Sequence, residues 1–290
     1  MLTGKSILHV NQGLGKFFQP DELTGYYNDL TEKVTKDAET LEKQCLPLSY
    51  TDDGKPIIFA TTILQYGLGS YDLVLQTNEE KYIAQFKRCV DWAFENQDEK
   101  GGWDISAFAG KNSVYGAMAQ GEGASLLLRA NKYYNDEKYL LAAKKAIDLM
   151  LMPLEEGGTS RYENDEIFLM EFMDKPCILN GWIFSLFGLY DLTLDCDEEK
   201  YKSALLLTLN TLKSHLSDFD CGYWSKYDMD KMIASPFYHK LHIAQLKALL
   251  MIDNDAAFSE MLAKFEKYQN SWRNRKRAFI KKACQKVFEK

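Results

Sequence analysis

Long apolar runs, paired cysteines and the familiar short catalytic signatures are all missing from this 290-residue chain. No stretch approaches the roughly 20 apolar residues of a membrane span, so no transmembrane segment is expected. The opening MLTGKSILHVNQGLGKFF has no apolar core of signal-peptide length, because glycines and an Asn-Gln step interrupt it. A cytoplasmic location is expected from that. The six cysteines (Cys45, Cys89, Cys177, Cys196, Cys221, Cys284) are scattered without a CxxC pair, which fits reduced thiols. There is no P-loop, Rossmann fingerprint, nucleophile elbow or HExxH. GLGSYD and GEGASL read as small residues inside helices, not as phosphate loops. No cofactor is expected. Positive charge is also short: a net charge of −7 argues against nucleic-acid binding.

What remains is apolar and aromatic. The chain is 46% hydrophobic, 27% charged and 13% aromatic, enough to bury a sizeable core in one large domain or two small ones. Surplus aromatics mark clefts that stack on ligands such as sugars, and they are also ordinary core material.

An internal repeat organises the chain. EEKY stands at 79–82 and 198–201, and DEKY at 136–139. Each opens an amphipathic helical pattern, and each follows a more apolar one: TILQYGLGSYDLVLQ, AMAQGEGASLLLRANKYY and LNGWIFSLFGLYDLTL. KLHIAQLKALLMI and AAFSEMLAKFEKYQ make a fourth pair. The pattern predicts helical hairpins with an inner and an outer member. Inner helices carry small residues (Gly67, Gly69, Gly121, Gly123, Gly181, Gly188) that permit close approach, and outer helices carry one charged face. The fold class is all-α, an α/α toroid; a superhelix that never closes is the alternative.

The connections 100–116, 157–172 and 220–230 all follow outer helices, so they belong at one end of the toroid. Their alternating residues predict short β-hairpins in the rim loops. That rim collects Trp103, Asp104, Tyr115, Tyr162, Glu163, Glu166, Glu171, Tyr223, Trp224, Tyr227 and Tyr238. Long loops on one face of a rigid scaffold are where binding and catalysis sit. Residues 1–55 read as an N-terminal helical cap or arm ending near the turn TDDGKP. Residues 264–290 hold ten Lys or Arg against two Glu. A basic C-terminal helix over 273–290 is expected, either solvated or docked on an anionic surface or partner.

Three groups bear on chemistry. Glu171, after the run IFLM, would have a raised pKa if buried and could serve as acid or base; facing water it would do neither. His239 and His242 lie three apart and could face one way, but no third ligand accompanies them, so no metal is expected. They would then bind a ligand group or satisfy local backbone. Gln120 and Glu122, on an inner helix, either reach ligand hydroxyls in the bore or satisfy neighbouring loops.

AMAQGEGASLLLRA, ILNGWIFSLFGLYDL, GYWSKYD and SPFYHKLHIAQLKAL resemble, in order and spacing, the C-terminal catalytic domain of the D-glucuronyl C5-epimerases. TTILQYGLGSYDLVL is similar to the family's first inner helix, and the likeness covers roughly residues 56–270. The family acts on heparosan, the precursor of heparan sulfate and heparin, and related domains occur in bacteria. The resemblance implies an isomerase domain over 56–272 that inverts carbon 5 of glucuronate in a glycosaminoglycan-like or capsular polysaccharide. Glycosyltransferases of the same pathway are possible partners. It also implies roles. Glu171 and Tyr238 would be the proton carriers, one per face of the sugar, and the hydroxyl of Tyr227 would hold the intermediate. Lys226, Asn180, His239 and His242 are candidate donors to the substrate carboxylate, with Trp103, Tyr115, Tyr223 and Trp224 gripping the sugar. Two departures stand out. Phe172 takes the place of a family tyrosine, and Asp230 takes that of an arginine in the animal enzymes. A uronate lyase on the same fold and a glycan-binding protein without turnover are the alternatives.

Overall fold

The structure, a computed structural model, describes residues 10–51 and 53–288; residues 1–9 of the expected cap and 289–290 of the expected basic helix lie outside them. Two short helices, α1 (Thr31–Thr35) and α2 (Ala38–Lys43), come first, with an antiparallel pair of two-residue strands, β1 (Ser49–Tyr50) and β2 (Pro56–Ile57). Four helical hairpins follow. They are α3 (Ala60–Thr77) with α4 (Glu80–Glu95), and, after the one-turn α5 (Ser106–Ala109), α6 (Ala117–Tyr134) with α7 (Lys138–Leu151). Next come strands β3 (Ser160–Glu163) and β4 (Glu166–Leu169), then α8 (Leu179–Asp195) with α9 (Glu199–His215), and α10 (Pro236–Ile252) with α11 (Ala256–Asn270). The chain closes on α12 (Trp272–Phe288). No helix of the described residues is long and apolar enough to cross a membrane.

Inner and outer members are separated by burial. In α6 every residue from Ala117 to Ala130 is buried, whereas α4 and α9 bury only one stripe. Glycine sets the spacing between inner helices. A Cβ on Gly188 of α8 would lie 2.2 Å from the carbonyl oxygen of Gly121 on α6, so neither helix tolerates a side chain at that crossing.

The N-terminal segment is threaded into this core. Tyr26, Tyr27, Leu30 and Val34 are buried. The fastener is a buried ion pair, Arg129 to Asp191 at 2.6 Å. Tyr27 donates its hydroxyl to Asp191 at 2.7 Å, and Arg129 donates to the carbonyls of Thr24 and Gly25, each at 3.0 Å.

Of the three rim connections, only 157–172 forms a strand ladder, with Ser160 opposite Leu169. In 100–116 the Asp104 carboxylate accepts from the Ser106 amide and starts α5 instead, which Gly110 ends at φ 89°. In 220–230 the Asp228 carboxylate takes the amides of Asp230 and Met232, leaving isolated bridges. The β1–β2 pair, with Tyr50 opposite Pro56, is an additional ladder that alternation did not mark. The three connections do meet at one end: Ala117 donates to the Met170 carbonyl at 2.8 Å, and Leu179 to that of Tyr227 at 3.1 Å.

Candidate active site

A cavity of about 280 Å³ opens where those connections converge on the N-terminal ends of the inner helices. Its volume is at the low end for small-molecule sites. Glu171, Tyr227, Tyr238, Asn180 and Phe172 line it, as do Lys33 and Gln65.

Glu171 reaches the cavity because two glycines make room. Gly116 lets the Glu171 carbonyl approach, and Gly181, in the first turn of α8, leaves space for its carboxyl. The residue retains some exposure, but Oε2 is buried and has no hydrogen-bond partner among the described residues. Burial pushes its pKa up to about 7, against a small opposing pull from Lys175. A carboxyl so placed exchanges a proton readily near neutrality.

Tyr238 stands in the first turn of α10, which Ser235 caps and Pro236 starts. Its ring lies 4.9 Å from that of Tyr227, centroid to centroid, and the two hydroxyls are hydrogen-bonded to each other. Burial, then the nearby Glu171 carboxylate, push the Tyr238 phenol up to about 12, and the bond from Tyr227 works in the other direction. Tyr227 is raised further, by burial and by Glu171. Two phenols and one buried carboxyl therefore share one cavity and sense each other's charge. Asn180 is at its wall; its Oδ1 is buried without a partner among the described residues, and Gln245 donates to its carbonyl at 3.1 Å.

The remaining candidates are not among the lining residues. Trp103 is core: its indole donates to the Ala93 carbonyl at 2.8 Å and its ring fills the space beside Gly123. Trp224 is also buried, donates to the Ala234 carbonyl at 3.1 Å and stacks on His239 at 3.7 Å. His239 bridges Ser225 and the Phe265 carbonyl, and His242 meets the same Ser225 hydroxyl at 3.0 Å. Burial lowers both histidine pKa values, that of His239 to about 4, so both are neutral. They tie the loop carrying Tyr227 to α10, which is the local-backbone role. Lys226 donates to the Asp230 carbonyl at 3.2 Å, and Asp230 is exposed beside Lys231. Tyr115 bonds Asp98 and covers Gly102. Tyr223 lies beneath Arg277 of α12 at 3.7 Å, in an open groove. Gln120 is buried without side-chain partners among the described residues. Glu122 accepts from Gln65 at 2.7 Å and so stands behind a cavity wall; burial raises its pKa to about 8.

Gln65 and Lys33 are among the polar lining residues that sequence reasoning missed. Gln65 is a polar residue on an apolar inner helix, the same signal that singled out Gln120 and Glu122. Lys33 gives no such signal: it sits in a polar-looking stretch whose burial is set by distant contacts.

Residues 97–267 match the family described as D-glucuronyl C5-epimerase C-terminus, which is more than half of the chain. A D-glucuronyl C5-epimerase of Caenorhabditis elegans is 31% identical over 210 residues, covering 62% of this chain and 34% of that protein. An uncharacterized protein of Methanocaldococcus jannaschii is 28% identical over 167 residues, covering 54% of this chain and 51% of its own. The chain thus spans about a third to a half of the length of these curated relatives. A solved structure titled as a UGL variant with dGlcA-Glc-Rha-Glc superposes with a TM-score of 0.53 at 11% identity, over 83% of this chain and 66% of that one. At that identity the likeness concerns the fold, an α/α toroid.

Proposed function

The chain belongs to the D-glucuronyl C5-epimerase C-terminus family, and on that premise we propose that it inverts carbon 5 of glucuronate residues in a polysaccharide. The observation that carries this reading is the placement of Glu171 and the Tyr227–Tyr238 pair on one small cavity.

Inversion requires a base on one face of the sugar and an acid on the other. Ionised Glu171 takes the carbon-5 proton, and Tyr238 delivers its own to the opposite face. The turnover leaves Glu171 neutral and Tyr238 ionised, which is the form that runs the reaction backwards. The hydrogen bond from Tyr227 stabilises that phenolate, which matters because Tyr238 otherwise resists ionisation. Carboxyl and phenolate both exchange with water, so solvent hydrogen enters the product.

The test is incubation with a glucuronate–glucosamine polymer in heavy water, read by NMR at carbon 5. Deuterium at carbon 5 together with the inverted sugar is expected. An unsaturated, ultraviolet-absorbing product would mean a lyase instead, and binding without exchange a glycan-binding protein.

A further inference from the structure

The geometry points to Lys33 as the carboxylate-binding group of the cavity, its ammonium receiving the carboxylate of a uronate ring whose carbon 5 lies among Glu171, Tyr227 and Tyr238. The idea rests on the glucuronate reading above and adds to it a residue from outside the matched region 97–267.

A uronate enters with a charge that must leave water. Placed beside an ionised Glu171, with no cation near, it would be repelled and poorly solvated. Proton removal adds a second negative charge to the sugar, so the need grows along the reaction. Among the described residues that line the cavity, Lys33 is the one cation. Other cations nearby are not among the lining residues. Lys226 bonds the Asp230 carbonyl, Lys175 lies over the Phe172 ring at 4.2 Å, and Lys282 over the Tyr227 ring at 5.8 Å. The two histidines are neutral and engaged with Ser225.

Lys33 is only 7% exposed, an expensive place for an ammonium group. Its burial lowers its pKa to about 8, with Glu122 pulling the other way, so the charge persists at neutral pH. The support beneath it is stiff. A Cβ on Gly69 of α3 would lie 2.5 Å from the Leu30 carbonyl, so α1 is pressed against α3. The Arg129–Asp191 pair holds the residues just before it. A rigid, partly desolvated cation on a cavity whose other walls are one carboxyl, two phenols and largely apolar side chains suits an anionic ligand. If Lys33 served only as a counterion to Glu122, it would not discriminate between ligands.

The experiment measures binding of a glucuronate–glucosamine tetrasaccharide and of its carboxyl-reduced counterpart to wild type, Lys33→Met and Lys33→Arg. Wild type is expected to prefer the uronate. Lys33→Met should weaken uronate binding by about tenfold to a hundredfold, the range for a hydrogen bond to a charged group, and leave the reduced ligand unchanged. Lys33→Arg should keep most of the preference. A folded Lys33→Met that retains the wild-type preference overturns the assignment while leaving the epimerase reading intact. A wild-type protein indifferent to the carboxyl overturns both. Should Lys33→Met not fold, NMR of lysine-labelled wild type decides. A buried lysine signal should move with the uronate ligand and not with the reduced one; lysine signals that respond equally to both overturn the assignment.

Discussion

A Cβ on Gly181 would lie 2.2 Å from Oε2 of Glu171. The absence of a side chain at the start of α8 is thus what lets a carboxylate occupy the cavity wall. Gly181→Ala should gain helix propensity, by about 1 kcal/mol, which offsets the cost of displacing the Glu171 side chain and leaves the melting temperature little changed. Carbon-5 exchange should nevertheless fall about a hundredfold, the usual effect of shifting a reacting group by an ångström. Parallel melting and deuterium wash-in curves check this; full activity in the alanine variant would show that Glu171 need not sit where it does.

The pH profile follows from the proton count. In the proposed reaction the two competent forms have Glu171 ionised with Tyr238 neutral, or Glu171 neutral with Tyr238 ionised. They hold the same number of protons, so they rise and fall together. With Glu171 raised to about 7 and Tyr238 to about 12, both forms are depleted below about 7, where Glu171 takes up the extra proton. kcat/KM should therefore rise through about pH 7 and fall again as Lys33 loses its charge through about pH 8, from glucuronate and from the inverted sugar alike. Opposite slopes for the two directions would break the shared-proton mechanism.

Removing one half of the buried Arg129–Asp191 pair leaves the other charge unmatched in the core. Arg129→Met should cost about 3–5 kcal/mol, measurable by denaturant titration. The double variant that also makes Asp191→Leu should recover much of that loss. A single variant that unfolds like wild type would mean that the pair does not hold the N-terminal segment.

Phe172 lines the cavity, with Lys175 over its ring. Phe172→Tyr adds one hydroxyl at a half-buried position on the cavity wall, so stability should change by less than about 1 kcal/mol. Turnover should rise, because a further donor then faces the sugar. A large drop in melting temperature would place position 172 in dry packing.

The hairpins were legible because inner and outer helices differ in how much apolar surface each presents, and that difference is local. Gly121 and Gly188 carried the close approach in plain view. Glu171, Tyr227, Tyr238 and Asn180 also came together where the rim was expected. Trp103, Trp224, His239 and His242 did not line the cavity, for one shared reason. A ring among polar neighbours looks alike in sequence whether it faces a ligand or bonds buried backbone, as Trp103 does with Ala93. Lys33 was hidden because it is buried by the packing of α1 on α3, where Gly69 meets Leu30 and Val34, a contact between segments that local pattern does not reveal.

In the proposed reaction Tyr238 moves a proton on one face of the sugar and Glu171 on the other. Tyr238→Phe keeps the ring and removes the hydroxyl that Tyr227 bonds, so glycan affinity and fold should change little. Deuterium wash-in at carbon 5 should be measured separately from glucuronate and from the inverted epimer, in Tyr238→Phe and in Glu171→Gln. Each variant should lose about a hundredfold to ten-thousandfold. One should lose more starting from glucuronate and the other more starting from its epimer, as two carriers on opposite faces require. Wild-type exchange in Tyr238→Phe, or the same order of loss in both variants, would contradict the two-sided mechanism.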